Sequence, residues 1–169
     1  MANTYVQIGS TVTVGAGGAA SIDFSSIPST YTDLKIVASL RTVLTGQVVQ
    51  SLLIQFNGST TGYSYRLLQG SGSTAASYNN TTRYFGDAPA ADATANTFGN
   101  LEIYIPNYAG SANKSYSADS VTENNSTSAL ANLDAGLWSN TAAITSISLS
   151  AANNFVQYST ASLYGISKS

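Results

Sequence analysis

Eight carboxylates and eleven tyrosines are the side chains in this 169-residue sequence best suited to acting on, or holding, another molecule. Histidine and cysteine are both absent. Without histidine the chain lacks the usual general base near neutral pH and the commonest metal ligand. Without cysteine, disulfides and thiolate metal sites are excluded, and neither a Ser-His-Asp triad nor a Cys-His pair can be assembled. Glycoside hydrolysis stays open chemically, because it needs only two carboxyl groups at a defined separation. The acids, however, stand singly at Asp23, Asp33, Asp87, Asp92, Glu102, Asp119, Glu123 and Asp134. Most fall at turns or on polar strand faces, where aspartate caps and ends local structure. The expectation is a chain that is not an enzyme. Asp87 and Asp92 could share a calcium ion with backbone carbonyls, but the dense Asp/Asn/Gly spacing of a calcium loop is missing. Gly15, Gly17 and Gly18 are followed by neither Lys-Ser/Thr nor a helix, so they read as a turn and not as a phosphate cradle. No metal or cofactor is expected.

The tyrosines offer binding instead of bond-making. Tyr63, Tyr65, Tyr78 and Tyr84 cluster around a Gly/Ser/Ala/Asn-rich stretch over 70–80. Tyrosine gives large contact area at small entropy cost, which favours it at protein interfaces and in sugar-binding patches. These four are the candidate interface residues, although strand tyrosines that straddle core and surface would give the same pattern. Trp138 reads as core.

Composition narrows the partners. Charged residues make up 8% of the chain, against roughly 25% in an ordinary soluble domain. Ser, Thr and Asn fill the gap, giving a polar, nearly uncharged surface that neighbours in an assembly could cover. A net charge of −2, with Lys35, Arg41, Arg66, Arg83, Lys114 and Lys168 well dispersed, gives no reason to expect nucleic-acid binding. The longest apolar runs are far below the ~20 residues that span a bilayer, and Met1 to Val6 does not read as a signal peptide. The expectation is one domain over residues 1–169, made in a cytosol and kept there or built into a particle.

Strands must position these residues. In Leu34 to Arg41, Leu34, Ile36, Ala38 and Leu40 share one face, Lys35, Ser39 and Arg41 the other, and Val37 is the exception. Residues 5–8 and 11–14 form one bulged strand or two. Further strands are expected over 21–24, 50–56, 63–69, 81–85, 97–105, 114–121 and 144–149, with a last one inside 155–166. Residues 129–138 are ambiguous between helix and strand and are read as strand. Asn57-Gly58 is the best short-range hairpin signal, with 63–69 as the returning strand. Residues 70–80 and 86–96 read as long loops, 123–128 as a connector, and Asn153-Asn154 as the turn into the final strand. About ten short strands without a helix predict an all-β fold, an antiparallel two-sheet β-sandwich of jelly-roll type.

Gly17 to Thr42 (GGAASIDFSSIPSTYTDLKIVASLRT), Leu52 to Gly58 (LLIQFNG), Tyr63-Ser64-Tyr65, Gly136 to Ser150 (GLWSNTAAITSISLS) and Asn154 to Ile166 (NFVQYSTASLYGI) together carry a likeness. The pattern resembles small virion proteins of tailed bacteriophages, notably phages of cyanobacteria, over nearly the whole chain. Such proteins are similar to jelly-roll capsid decoration (cement) proteins, which sit as trimers on the outer surface of the shell and brace the major capsid protein. Related sequences are also labelled tail or fibre components. The resemblance therefore implies a homotrimer on the virion, or alternatively a tail part gripping host glycan through the tyrosine-rich loops. It brings no catalytic motif.

Overall fold

A computed structural model describes residues 4–125 and 128–167. The expectations for Met1 to Asn3, for Lys168 and for part of the 123–128 connector lie outside the described residues. Thirteen strands and no helix occur among those described: β1 (Tyr5–Gln7), β2 (Val12–Thr13), β3 (Ala19–Phe24), β4 (Asp33–Leu40), β5 (Val49–Phe56), β6 (Tyr63–Gly70), β7 (Ala75–Asn80), β8 (Tyr84–Pro89), β9 (Gly99–Ile105), β10 (Lys114–Val121), β11 (Ala131–Trp138), β12 (Ile147–Phe155) and β13 (Thr160–Ile166). They build two antiparallel sheets. The larger runs β1-β13-β4-β9-β10-β11-β6-β7, with β2 also on β13, and the smaller runs β3-β12-β5-β8.

The period-two pattern of β4 sets the register of the larger sheet. Leu34, Ile36 and Ala38 lie opposite Ile105, Ile103 and Leu101 of β9, and Ile36 lies opposite Leu163 of β13. All of these are buried. They meet Ile22 and Phe24 of β3, Leu52, Ile54 and Phe56 of β5, and Ile147 and Leu149 of β12 in one hydrophobic cluster between the sheets. Burying each such side chain contributes on the order of 1.5–3 kcal/mol. Val37, the exception in the sequence pattern, faces solvent. β1 and β2 are two strands on one neighbour, interrupted at Gly9.

Several connections differ from those the sequence suggests. Asn57 and Gly58 do adopt the positive φ angles of a tight reversal, 50° and 72°. β5 and β6 nevertheless lie in different sheets. Both neighbours of β5 are already taken by β12 and β8, and Asn57 ties the turn to the start of β12. Its Oδ1 accepts from the Thr145 and Ser146 amides, at 2.8 and 3.1 Å, and its Nδ2 donates to the Ala143 carbonyl at 2.7 Å. Residues 75–80, expected as loop, form β7 on the edge of β6. Residues 86–89, also expected as loop, belong to β8. Asn153 and Asn154 lie within β12, and the reversal comes at Val156 to Ser159, with Tyr158 at φ 71°.

β8 is buried at all six positions. It pairs with β5 in the smaller sheet and packs against β9, β10 and β11 of the larger one. Gly86 has φ 140°, and a Cβ there would lie 2.6 Å from Ser120 Oγ and 2.8 Å from Ser120 Cβ. Only glycine fits this approach of one sheet to the other. Gly86→Ala should therefore cost at least about 2 kcal/mol in urea unfolding. Gly15→Ala, where a Cβ meets nothing within 4 Å, should stay within about 0.5 kcal/mol. Equal losses at the two sites would contradict the close approach.

Candidate interaction surface and buried polar cluster

The four candidate tyrosines do not share a surface. Tyr63 opens β6 on the inner face, 4% exposed. Its ring stacks on that of buried Trp138 at 6.1 Å, and its Oη accepts from the Phe56 amide at 2.8 Å. Burial pushes its phenol up to about 12. Tyr84 opens β8 and is also interior. Its Oη donates to Asp87 at 2.7 Å and accepts from Asn132 Nδ2 at 2.9 Å. Burial first, and then the Asp87 carboxylate, raise it far above the ordinary phenol range. Tyr65 is half-buried with its ring 4.9 Å from that of Tyr84. Tyr78, on β7, is 52% exposed. The interface expectation is thus corrected at Tyr63 and Tyr84, whose strand positions turn them towards the other sheet.

An exposed apolar patch lies instead on the outer face of β10, β11 and β6. Leu68, Leu133 and Val121 are 56%, 53% and 45% exposed, and Leu68 lies directly opposite Leu133. Gly70, Ala75 and Ala131 complete a shallow depression, with Asp119 as its one carboxylate. β11 explains how this arises. Asn132, Asp134, Gly136 and Trp138 point inward, and Ala131, Leu133 and Ala135 point out. Leucines inward would be the hydrophobic choice on composition alone. Trp138 fixes the opposite parity, and the Tyr116 ring lies over Gly136, where a Cβ would come within 1.9 Å of Cζ.

That parity also carries a carboxylate inside. Asp87 of β8 accepts from Ser51 Oγ, Tyr84 Oη and Asn132 Nδ2 at 3.0, 2.7 and 2.8 Å. Asp134 is 1% exposed, and neither of its carboxylate oxygens has a hydrogen-bond partner. Burial, then the charge of Asp87 and then that of Asp119, push it up to about 7. Two acids that stand apart in sequence are therefore both buried in the interior, close enough for the charge of one to act on the other. The strand parity set by Trp138 is the signal that could have found Asp134. Asp92 is exposed on the following loop, while the Asp87 carboxylate is taken up by Ser51, Tyr84 and Asn132 inside. Among the described residues no group of three or more potential metal-binding side chains gathers.

The two buried cations bind carbonyls. Arg41, expected on the polar face of its strand, lies just past the end of β4 and donates to the carbonyls of Ala91, Ala93, Thr94 and Thr97 at 2.8–3.1 Å. Lys114 Nζ donates to the carbonyls of Gly110, Ala112 and Thr141. Burial lowers the pKa of both. No helix is long and apolar enough to cross a membrane among the described residues. No family model, curated protein or solved structure matches the chain.

Asp134 makes stability depend on pH. Its unfolded pKa lies near 3.9, so between about pH 4 and pH 7 the folded chain holds a proton that the unfolded chain has released. The resulting stabilisation is complete below about pH 4 and is lost as pH rises through about 7. Thermal melts should therefore fall from pH 5 to pH 8. Asp134→Asn should flatten that slope and melt higher than the native chain at pH 8. An unchanged slope in this variant would place the titration elsewhere.

Proposed function

We propose that this chain is a structural protein of a tailed-phage virion, a decoration protein on the outer surface of the head. It binds the assembled major capsid protein as an oligomer, a trimer in the arrangement the resemblance implies, and stabilises the shell. The observation that carries this reading is the inverted economy of β11 and its neighbours. Leu133, Leu68 and Val121 face out while Asn132 and Asp134 face in, which favours a partner over that outer face. A nearly uncharged Ser/Thr/Asn surface adds little like-charge repulsion between copies. A protein that binds only the assembled shell stabilises it by mass action at every site it occupies.

The strand order supports the jelly-roll part of the reading. If β3 to β8 are the first six strands, β12 takes the place of the eighth. The small sheet then runs first, eighth, third, sixth, as in a jelly roll. The large sheet keeps second, seventh, fourth, fifth, with β9 to β11 in place of the seventh and additional strands beyond β4. The alternative of a tail or fibre part gripping glycan through the tyrosines is weaker, because Tyr63 and Tyr84 are interior.

Heads stripped of this protein should burst at a lower temperature, and adding back the purified chain should restore them. Leu133→Asp, on an exposed strand position, should keep the native melting temperature and fail to restore. Bare heads as robust as decorated ones would rule out bracing.

A further inference from the structure

Among the described residues the two sheets end in four free edges, and three of these edges are protected against pairing with another chain. At one end of the large sheet, β1 and β2 are three and two residues long and are interrupted at Gly9. In the small sheet, β3 carries Asp23 on its free edge strand, and β8 is buried throughout and ends in Pro89. Short edges, bulges, charges, proline and cover are the usual devices that prevent edge-to-edge association. β7 has none of them. It is six residues long, Ala75-Ala76-Ser77-Tyr78-Asn79-Asn80, pairs only with β6 among the described residues, and is exposed at five of six positions. No charged residue occurs from 67 to 82.

We infer that β7 is a self-association edge, at which two copies of this chain pair their β7 strands antiparallel about a twofold axis and join two nine-stranded sheets into one. A twofold axis gives each strand its own hydrogen-bonding complement. The identical copy is the occupant that the charge pattern favours. An uncharged edge meets its own image without repulsion, and it offers no charge by which a different chain would be selected. Because directly opposite residues share a sheet face, the axis passes at Ser77 or at Tyr78. In either register the two Ser77 residues fall opposite or diagonal to each other. The inference is independent of where in a particle the chain sits. It also differs from threefold closure, so the two can be told apart by mass.

Sedimentation equilibrium and light scattering on the full chain should show a reversible, concentration-dependent species of twice 17.4 kDa, or an even multiple of the monomer. Ser77→Lys and, separately, Asn79→Lys are exposed substitutions that should leave the fold intact. Each should raise the dissociation constant at least tenfold. Hydrogen exchange should show concentration-dependent protection of β7 amides in the native chain and none in Ser77→Lys. A monomer at every concentration overturns the inference, whether or not the chain binds heads. A trimer whose dissociation constant neither lysine alters also overturns it, while leaving the decoration reading standing.

Discussion

β8 is paired in one layer and pressed closely against the other, and the arrangement of the interior depends on that double contact. It is hydrogen-bonded into the small sheet through β5 and lies in van der Waals contact with β10 of the large one. Such an approach is possible only where a side chain is missing, and Gly86 supplies the gap against Ser120. A strand enclosed on both faces cannot turn its polar residues to solvent. Tyr84 and Asp87 must find partners inside, which they do in each other, in Ser51 and in Asn132. The buried polar cluster is thus a consequence of how the layers meet, and it places a second carboxylate, Asp134, next to the first with nothing to bond it.

The few charges of this chain are distributed with a similar logic. Lys35 and Glu102 form a surface ion pair at 2.8 Å, worth little because both ends are solvated. Arg41 and Lys114 are buried without a carboxylate and are satisfied by loop carbonyls. Backbone carbonyls in irregular segments need donors that no strand supplies, so each cation serves to organise the loop around it. Arg41 fixes 91–97 and Lys114 fixes 110–112 together with 141. The surface left over is polar, weakly charged and broken by the Leu68–Leu133 patch.

What the sequence disclosed, and what it withheld, follows from the physics of strands. β4, β5 and β9 were legible because large aliphatic residues alternate with polar ones, and burial on one face enforces the register. β7 was not, since Ala-Ala-Ser-Tyr-Asn-Asn has no apolar face to report and pairs through its backbone alone. Asn57-Gly58 specified a local reversal correctly, yet which strand lies beside β5 is decided by packing some ninety residues away, at Thr145 and Ser146. The tyrosine grouping failed for a related reason. Proximity in sequence put Tyr63, Tyr78 and Tyr84 together, whereas strand parity sent two of them inward and one out. In β11, counting back from Trp138 would have assigned the faces correctly, and counting hydrophobic residues would have reversed them.

The placement of β13 between β1 and β4 has a consequence for how the chain is made. Ser39 takes Thr160 as its neighbour, so one side of the central strand waits for a segment that leaves the ribosome much later. At ~5–20 residues per second the delay is on the order of ten seconds, longer than many small domains need to fold. During that interval the β13 side of β4 is an open edge, and an open strand edge is a template for pairing with another chain.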